Sequence, residues 1–462
     1  MGAGLAGLSA GSVLSRAGRS VTLIEGGSAV GGMSRTIEHE GFRFDLGGHR
    51  FITKTRETED FVRRLLRDEC LIVPRKSEIL MRGRSFDYPL TPANAVFGMG
   101  MAMTFRILVA YAVQNVRNEV RRSAIISLED WVVGKFGRTM FDLYFREYSE
   151  KVWGISCREI SMEWVSRRIE GLSLWKAIKN AFSKRSGRDI DTLADSFLYP
   201  ATGIGLISER LREEIEINNS IRTNTRVSRV DHDDFTIKSI MVRNGADLYD
   251  LEGSEFVSSI PLTVLIQTLH PAPPEEVQRA VAQLRYRDLL VSTIMLDRDR
   301  VTDLTWMYLP EKAVPFGRIH EPKNWSKDMA PQGKTHLVAE YFCFQKDSIW
   351  KASDEAITDS TVDHLCRMGF IDRREVIGSC VVRVPRAYPL FQVGYQEHYE
   401  TIMNYLKRFR NLHVIGRGGM FRYHNMDHAM ESGIEAAKEI LRKPRAAKGM
   451  EQRSKSEAII QA

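Results

Sequence analysis

The sequence predicts an α/β protein. It has a Rossmann-like dinucleotide-binding domain that is discontinuous along the chain, a mainly helical insertion, and a mixed α+β substrate domain. Three observations carry this prediction. The chain opens on a Gly-x-Gly-x-x-Gly turn (Gly2, Gly4, Gly7) that runs into a helix-forming stretch and a short β-branched run ending in Glu25. A second strand, glycine loop and helix pattern stands some four hundred residues later, in "NLHVIGRGGMFRYHNMDHAMESGIEAAKEIL". Between them the pattern alternates between helical and strand periodicity, as expected when one domain is interrupted by others.

The opening is the most specific of the three. "LAGLSAGSVLSRAG" spaces small and apolar residues as a helix does, and "SVTLIE" reads as the next parallel strand. Glycines permit a tight turn and let a pyrophosphate approach backbone amides at the helix start, where the helix dipole favours negative charge. A carboxylate about twenty residues on, at the end of the second strand, accepts hydrogen bonds from a ribose, and Glu25 stands there. A strand should precede Gly2, yet only Met1 does. The expectation is a short apolar strand encoded upstream of Met1.

The segment "GGSAVGGMSRTIEHEGFRFDLGGHRFITK" follows, with Gly31 and Gly32 before Arg35, and Gly47 and Gly48 before His49. A nicotinamide domain rarely needs these added loops. A flavin lies extended across its protein, so glycine loops pass close to its ribityl and ring portions. FAD is therefore the expected cofactor.

The domain boundaries follow from these changes of pattern. Residues 1–55, 196–262 and 405–442 form the FAD-binding domain, 56–195 a mainly helical insertion, 263–404 the substrate domain, and 443–462 a disordered basic tail. Helical spacing is clear in "TEDFVRRLLRDE" and "LEDWVVGKFGRTMFDLYFREYSEKVW". The Pro200–Gly205 turn leads into an amphipathic helix and then short strands.

Composition narrows the function. The chain is 43% hydrophobic and 27% charged, as in ordinary globular proteins. Its net charge of +7 suits a small anionic substrate, while the scattered basic residues argue against a nucleic-acid partner. Five widely spaced cysteines form no CxxC pair, which points to a reducing cytoplasm and away from disulfides or a metal site. The apolar stretch around 93–113 carries Arg106 and reads as a buried or interfacial helix, giving a possible peripheral contact at the inner face of a membrane. The oligomeric state is not set by any of these features.

The motifs together resemble the flavoprotein superfamily of amine oxidases, protoporphyrinogen oxidases and UDP-galactopyranose mutases, and are most similar to the mutase-like members. The resemblance places Gly416 and Arg417 beside the pyrophosphate, Met426 at the start of the helix that closes over the flavin, and Val227 against the adenine end. It puts His49 near the reactive part of the ring. "REYSEKVWGISCREIS" resembles a mutase segment through Tyr148, Ser149, Lys151, Trp153 and Gly154, and "VPFGRIHEP" another through Arg318 and Glu321. Tyr388 with Pro389, and Tyr423, match further mutase elements, so Arg318, Tyr388 and Tyr423 are implied to grip a sugar diphosphate. Guanidinium and phenol groups suit phosphoryl oxygens. The sequence departs from that pattern too. Arg167 and Arg168 are out of register with a second substrate arginine, leaving Leu172 in its place, and Asn425 replaces an acid.

The resemblance implies an FAD-dependent oxidoreductase acting on a sugar, nucleotide-sugar or glycan-linked substrate of polysaccharide biosynthesis. The alternatives are a redox-neutral isomerase of the mutase type, using reduced flavin as nucleophile, and a flavin-free, non-catalytic protein. The candidate catalytic residues are His49, Arg318, Tyr388 and Tyr423.

Overall fold

A computed structural model describes residues 1–88, 100–120, 124–162 and 196–443. Arg167, Arg168, Leu172, the start of the 93–113 stretch and nearly all of the basic tail fall outside the described residues.

The glycine turn does lead into a helix, Leu5–Arg16, which returns to the strand Thr22–Ile24. That strand pairs in parallel with Ser220–Arg222, and Phe256–Ser258 pairs in parallel with Leu412–Val414. Met1 and Gly2 lie between the two pairs and bond to both. Gly2 N donates to Ile24 O at 2.7 Å, while Ser259 N donates to Met1 O at 2.9 Å. The three stretches assigned to one domain from sequence thus meet around the first glycine turn.

Helix packing here is unusually close because small residues line it. A Cβ on Gly433, in the helix Met426–Arg442, would lie 2.1 Å from the Ala6 carbonyl oxygen. The first and last long helices therefore touch backbone to backbone, with Ala6, Ala10, Ala436 and Ala437 buried around the crossing. This contact brings the two ends of the chain together.

Residues 77–87 and 285–390 contribute the strands of a seven-stranded sheet. Its order is Val376–Leu390, Arg285–Leu296, Thr335–Cys343, Arg318–His320, Trp306–Tyr308, Ser77–Met81 and Arg84–Asp87. All nine residues of Thr335–Cys343 are buried, since this strand is covered on both faces. One face packs with Leu365 and Ile357 of the helix Asp354–Arg367, the other with Phe44 and Leu46. The last two strands come from the segment read as mainly helical. "SEILMRGRSFD" alternates in strand fashion around Arg82 and Gly83, whose φ values of 52° and 68° suit a two-residue hairpin turn. Among the described residues of 56–195, helices occupy 56–66, 101–120 and most of 128–153, while 70–74, 77–81 and 84–87 are strands.

Two histidines are sealed beside this sheet. His336 is fully buried, with Nε2 2.9 Å from Arg43 O, and His320 stacks on Trp325 at 5.1 Å. Burial lowers the pKa of His336 to about 3 and puts that of His320 well below the ordinary value. Both stay neutral in the fold but would take up protons in the unfolded chain below about pH 6.5. Stability is therefore expected to fall as pH drops from about 6.5 toward 3, by up to about 1.4 kcal/mol per pH unit for each histidine. Thermal melts of the holoprotein across that range check this, and His336→Gln should make the decline shallower. Among the described residues, no helix is long and apolar enough to cross a membrane.

Candidate cofactor and substrate site

At the nucleotide end, backbone geometry dictates the residue types. A Cβ on Gly7 would sit 2.0 Å from Gly2 O, so the helix can start against the turn only without a side chain there. Gly4 faces open space, with nothing within 4 Å of the position its Cβ would take. The helix Leu5–Arg16 has no side-chain cap, leaving its first amides to a ligand. Glu25 is aimed by two amides: Oε2 accepts from Ala3 N and Oε1 from Gly27 N, each at 2.8 Å. A carboxylate has further lone pairs for a ribose hydroxyl.

The other loops gather at the same place. Gly31 N donates to Ala3 O at 2.8 Å, and the Cβ position of Gly32 is 3.4 Å from the Gly4 Cα. Arg35 has a buried Nε with no protein partner. Thr225 N donates to Glu25 O at 2.8 Å, and Val227 follows two residues further along the same strand. From the far end of the chain, Gly416 approaches Ala6 so closely that its Cβ would be 2.9 Å away. Asn425 provides no side-chain cap, so the amides at Met426 are also open. Uncapped helix starts, an oriented carboxylate, an orphaned guanidinium nitrogen and open space over Gly4 all fit an extended dinucleotide.

The candidate catalytic residues lie near one another: Arg318 is close enough to His49 and to Tyr388 to act on the charge of each, and Tyr388 faces Tyr423. Arg318 stands directly across from Glu340 in the antiparallel register, and its Nη2 donates to Glu340 Oε2 at 2.5 Å. Oε1 of the same carboxylate accepts from Gly48 N at 3.1 Å, in the loop that carries His49. Gly47, at φ 100°, makes this turn, and a Cβ there would fall 3.0 Å from Glu340 Oε2. Tyr388 and Tyr423 lie nearly parallel, 6.4 Å between centroids and 14° between planes. The Arg417 guanidinium sits over both rings, at 5.3 and 5.4 Å, and its Nε donates to His424 O at 2.7 Å.

Electrostatics ties the group together. Burial lowers the pKa of His49 to about 3, helped by the positive charges of Arg417 and Arg318, so the imidazole is neutral at physiological pH. Burial raises the Tyr388 phenol, which therefore remains a hydrogen-bond donor, while Arg318 opposes that shift. Tyr148 is pushed the same way by burial, again with Arg318 opposing.

Two residues in the matched motifs have scaffold contacts instead. Glu321 accepts from Val301 N at 3.0 Å, Thr302 N at 2.7 Å and Thr335 Oγ1 at 2.7 Å, so it braces a loop and is not the partner of Arg318. Lys151 donates to the carbonyls of Leu309, Glu311 and Phe316 at 2.6, 2.5 and 3.2 Å. Burial lowers its pKa to about 8, which still leaves three protons for those bonds at neutral pH. Sequence reasoning missed Glu340, Tyr308 and Tyr88. Tyr308 lies 4.4 Å from Tyr88 and 5.7 Å from Tyr148, extending the aromatic wall. The signal for Glu340 was present: it is the one acid in "THLVAEYFC", an otherwise apolar run.

Fold and site together define a flavoprotein whose glycine loops, distant in sequence, meet beside a seven-stranded sheet. The family profile described as flavin containing amine oxidoreductase matches residues 5–441. The chain belongs to that family, and its cofactor is FAD. Among solved structures, a reduced UDP-galactopyranose mutase superposes with a TM-score of 0.82 at 23% identity, covering 95% of this chain and 94% of that one. A protein assigned as a protoporphyrinogen oxidase from Exiguobacterium sp. 255-15 gives 0.73 at 16% identity, covering 95% and 97%. A putrescine oxidase with putrescine bound gives 0.65 at 15% identity, covering 96% and 98%. At these identities the likeness shows a shared fold.

Proposed function

We propose that this chain is an FAD-dependent oxidoreductase acting on an anionic sugar substrate, a nucleotide sugar or glycan-linked sugar, at the Arg318, Arg417, Tyr388 and Tyr423 wall. The observation that carries this reading is the charge of the site. Two guanidinium groups flank the neutral His49, and the nearby carboxylate, Glu340, is already paired with Arg318. A protonated amine would meet net repulsion there, whereas a phosphorylated sugar would gain charge-assisted hydrogen bonds.

FAD, when bound, supplies the redox chemistry. The chain's own contribution is placement. Gly4 and Gly7 would present amides to the pyrophosphate, with Gly416 on its other side; the Gly2 amide is held by Ile24 O and shapes the turn, and Arg417, over the Tyr388 and Tyr423 rings, is left to the substrate. Glu25 would hold the ribose and Val227 would flank the adenine. Gly31, Gly32, Arg35, Gly47, Gly48 and the first amides at Met426 would line the rest of the cofactor. Arg417 and the paired tyrosine hydroxyls would orient the anion of the substrate, with Arg318 held rigid by Glu340. His49 can give or take one hydrogen bond without adding a charge beside the reacting sugar.

The test is anaerobic mixing of the yellow holoprotein with nucleotide sugars. Bleaching of the flavin absorbance by the oxidisable sugar is the expected result. The matched Tyr148–Gly154, Arg318 and Tyr423 elements favour a second reading, a redox-neutral mutase. Turnover only after dithionite reduction, with no net change in oxidation state, would replace the first reading by that one. A full-length protein that stays colourless with excess FAD would remove both.

A further inference from the structure

The helix Met101–Val120 contributes none of the residues just described, and one of its faces is exposed. Ile107 and Thr104 point inward and are buried, yet Met101 is 78% exposed, Phe105 70% and Val116 61%. Leu108, Val109 and Val113 are exposed as well. At about 100° per residue these side chains, with the exposed Ala102 and Ala112 near them, fill an arc of roughly 140° on one side of the helix. From Met101 to Val116 the stripe runs about 23 Å, and Arg106 and Arg117, both exposed, stand along one edge of it.

Charge decides what could cover this face. No Asp or Glu occurs in the sequence between Asp87 and Glu119, while Arg106 and Arg117 fall within that interval and Arg121 and Arg122 follow it. Within the span of the stripe, Met101 to Val116, the one charged residue is Arg106, with Arg117 next on the same edge and Glu119 beyond its end. A second copy is a poor occupant, because antiparallel pairing of two such faces would bring the arginine-bearing edges of both copies together. A continuous aliphatic and aromatic strip rimmed by arginine suits the headgroup boundary of an anionic bilayer, with the apolar side chains among the acyl chains and the guanidinium groups on lipid phosphates. The helix is not apolar enough to cross a membrane, which fits a helix lying in the interface.

We propose that Met101–Val120 docks the protein reversibly on an anionic lipid surface, through Met101, Phe105, Leu108, Val109, Val113 and Val116. This surface is independent of the reaction catalysed, so its failure would leave the proposed activity untouched.

Flotation of the full-length holoprotein tests it, with vesicles of phosphatidylcholine alone or containing about one-third phosphatidylglycerol. Wild type should float with the anionic vesicles at low salt, with at least a tenfold lower bound fraction on neutral ones, and high salt should release it. Phe105→Glu with Val109→Glu should abolish flotation while keeping the FAD absorbance and thermal midpoint. Arg106→Gln with Arg117→Gln should lose the preference for anionic lipid, and it supplies a second readout should the first pair perturb folding. The proposal is overturned if wild type ignores both vesicles, or binds both equally. It is equally overturned if sedimentation equilibrium shows a dimer that Phe105→Glu dissociates, because the face would then belong to a second copy.

Discussion

Glu340→Ala should lower the folding free energy by about 3–5 kcal/mol, the range for removing one partner of a buried ion pair. The side chain is 1% exposed, and its two oxygens serve different masters: Oε2 takes the Arg318 guanidinium and Oε1 the Gly48 amide. Alanine would leave a largely buried cation and an amide without partners, and would release the turn that presents His49. Glu340→Gln keeps an oxygen for the amide and loses the charge, so it should cost less, about 1–3 kcal/mol. Chemical denaturation of the three proteins measures the order. Arg318→Ala in the Glu340→Ala background should restore part of the loss, because the two residues are directly coupled. Additive costs would show that the pair is not an energetic unit. Activity supplies the second readout: Glu340 touches no reacting atom in this reading, and its loss should raise KM for the anionic substrate through a mobile Arg318.

Gly7→Ala should abolish retention of FAD, with affinity falling at least about tenfold, or 1.4 kcal/mol. The added Cβ would lie 2.0 Å from Gly2 O and 3.2 Å from Gly2 C, both backbone atoms. Gly2 cannot yield cheaply, since its N bonds to Ile24 O at 2.7 Å and its carbonyl accepts from Ser259 Oγ at 3.2 Å. Either the first turn of the helix moves away from the loop or the loop opens, and the amides no longer converge. Overpacking of this kind costs about 1–3 kcal/mol of stability in addition. Gly18→Ala is the control. Gly18 has φ 68° with open space around it, so its replacement strains the backbone and leaves the cofactor loop alone. The ratio of flavin to protein absorbance in the purified variants decides the matter. Equal flavin content in Gly7→Ala and wild type would show that this turn does not hold the pyrophosphate.

The local pieces of this protein were legible because their geometry is written in neighbouring residues. A glycine where a Cβ would strike a carbonyl, an acid at the end of the next strand, and an uncapped helix start are all properties of a few consecutive positions. So are the helices Arg56–Leu66 and Leu128–Phe136, with their periodic apolar faces. Two glycine units four hundred residues apart also announced a common ligand, and the Gly433 and Ala6 crossing explains how they meet.

What the sequence could not supply was the pairing of charges and strands across the fold. Arg318 and Glu321 stand three apart, and proximity alone suggests a pair. Strand register instead puts Arg318 opposite Glu340, and burial commits Glu321 to loop amides. Lys151 resembles a motif residue, but the chain wraps three carbonyls around it. The 77–87 hairpin joins a sheet whose other strands begin more than two hundred residues later. Sequence alone therefore determined the family and the cofactor class. The tertiary structure decided which charges are neutralised, because that depends on long-range register and on the loss of water around each group.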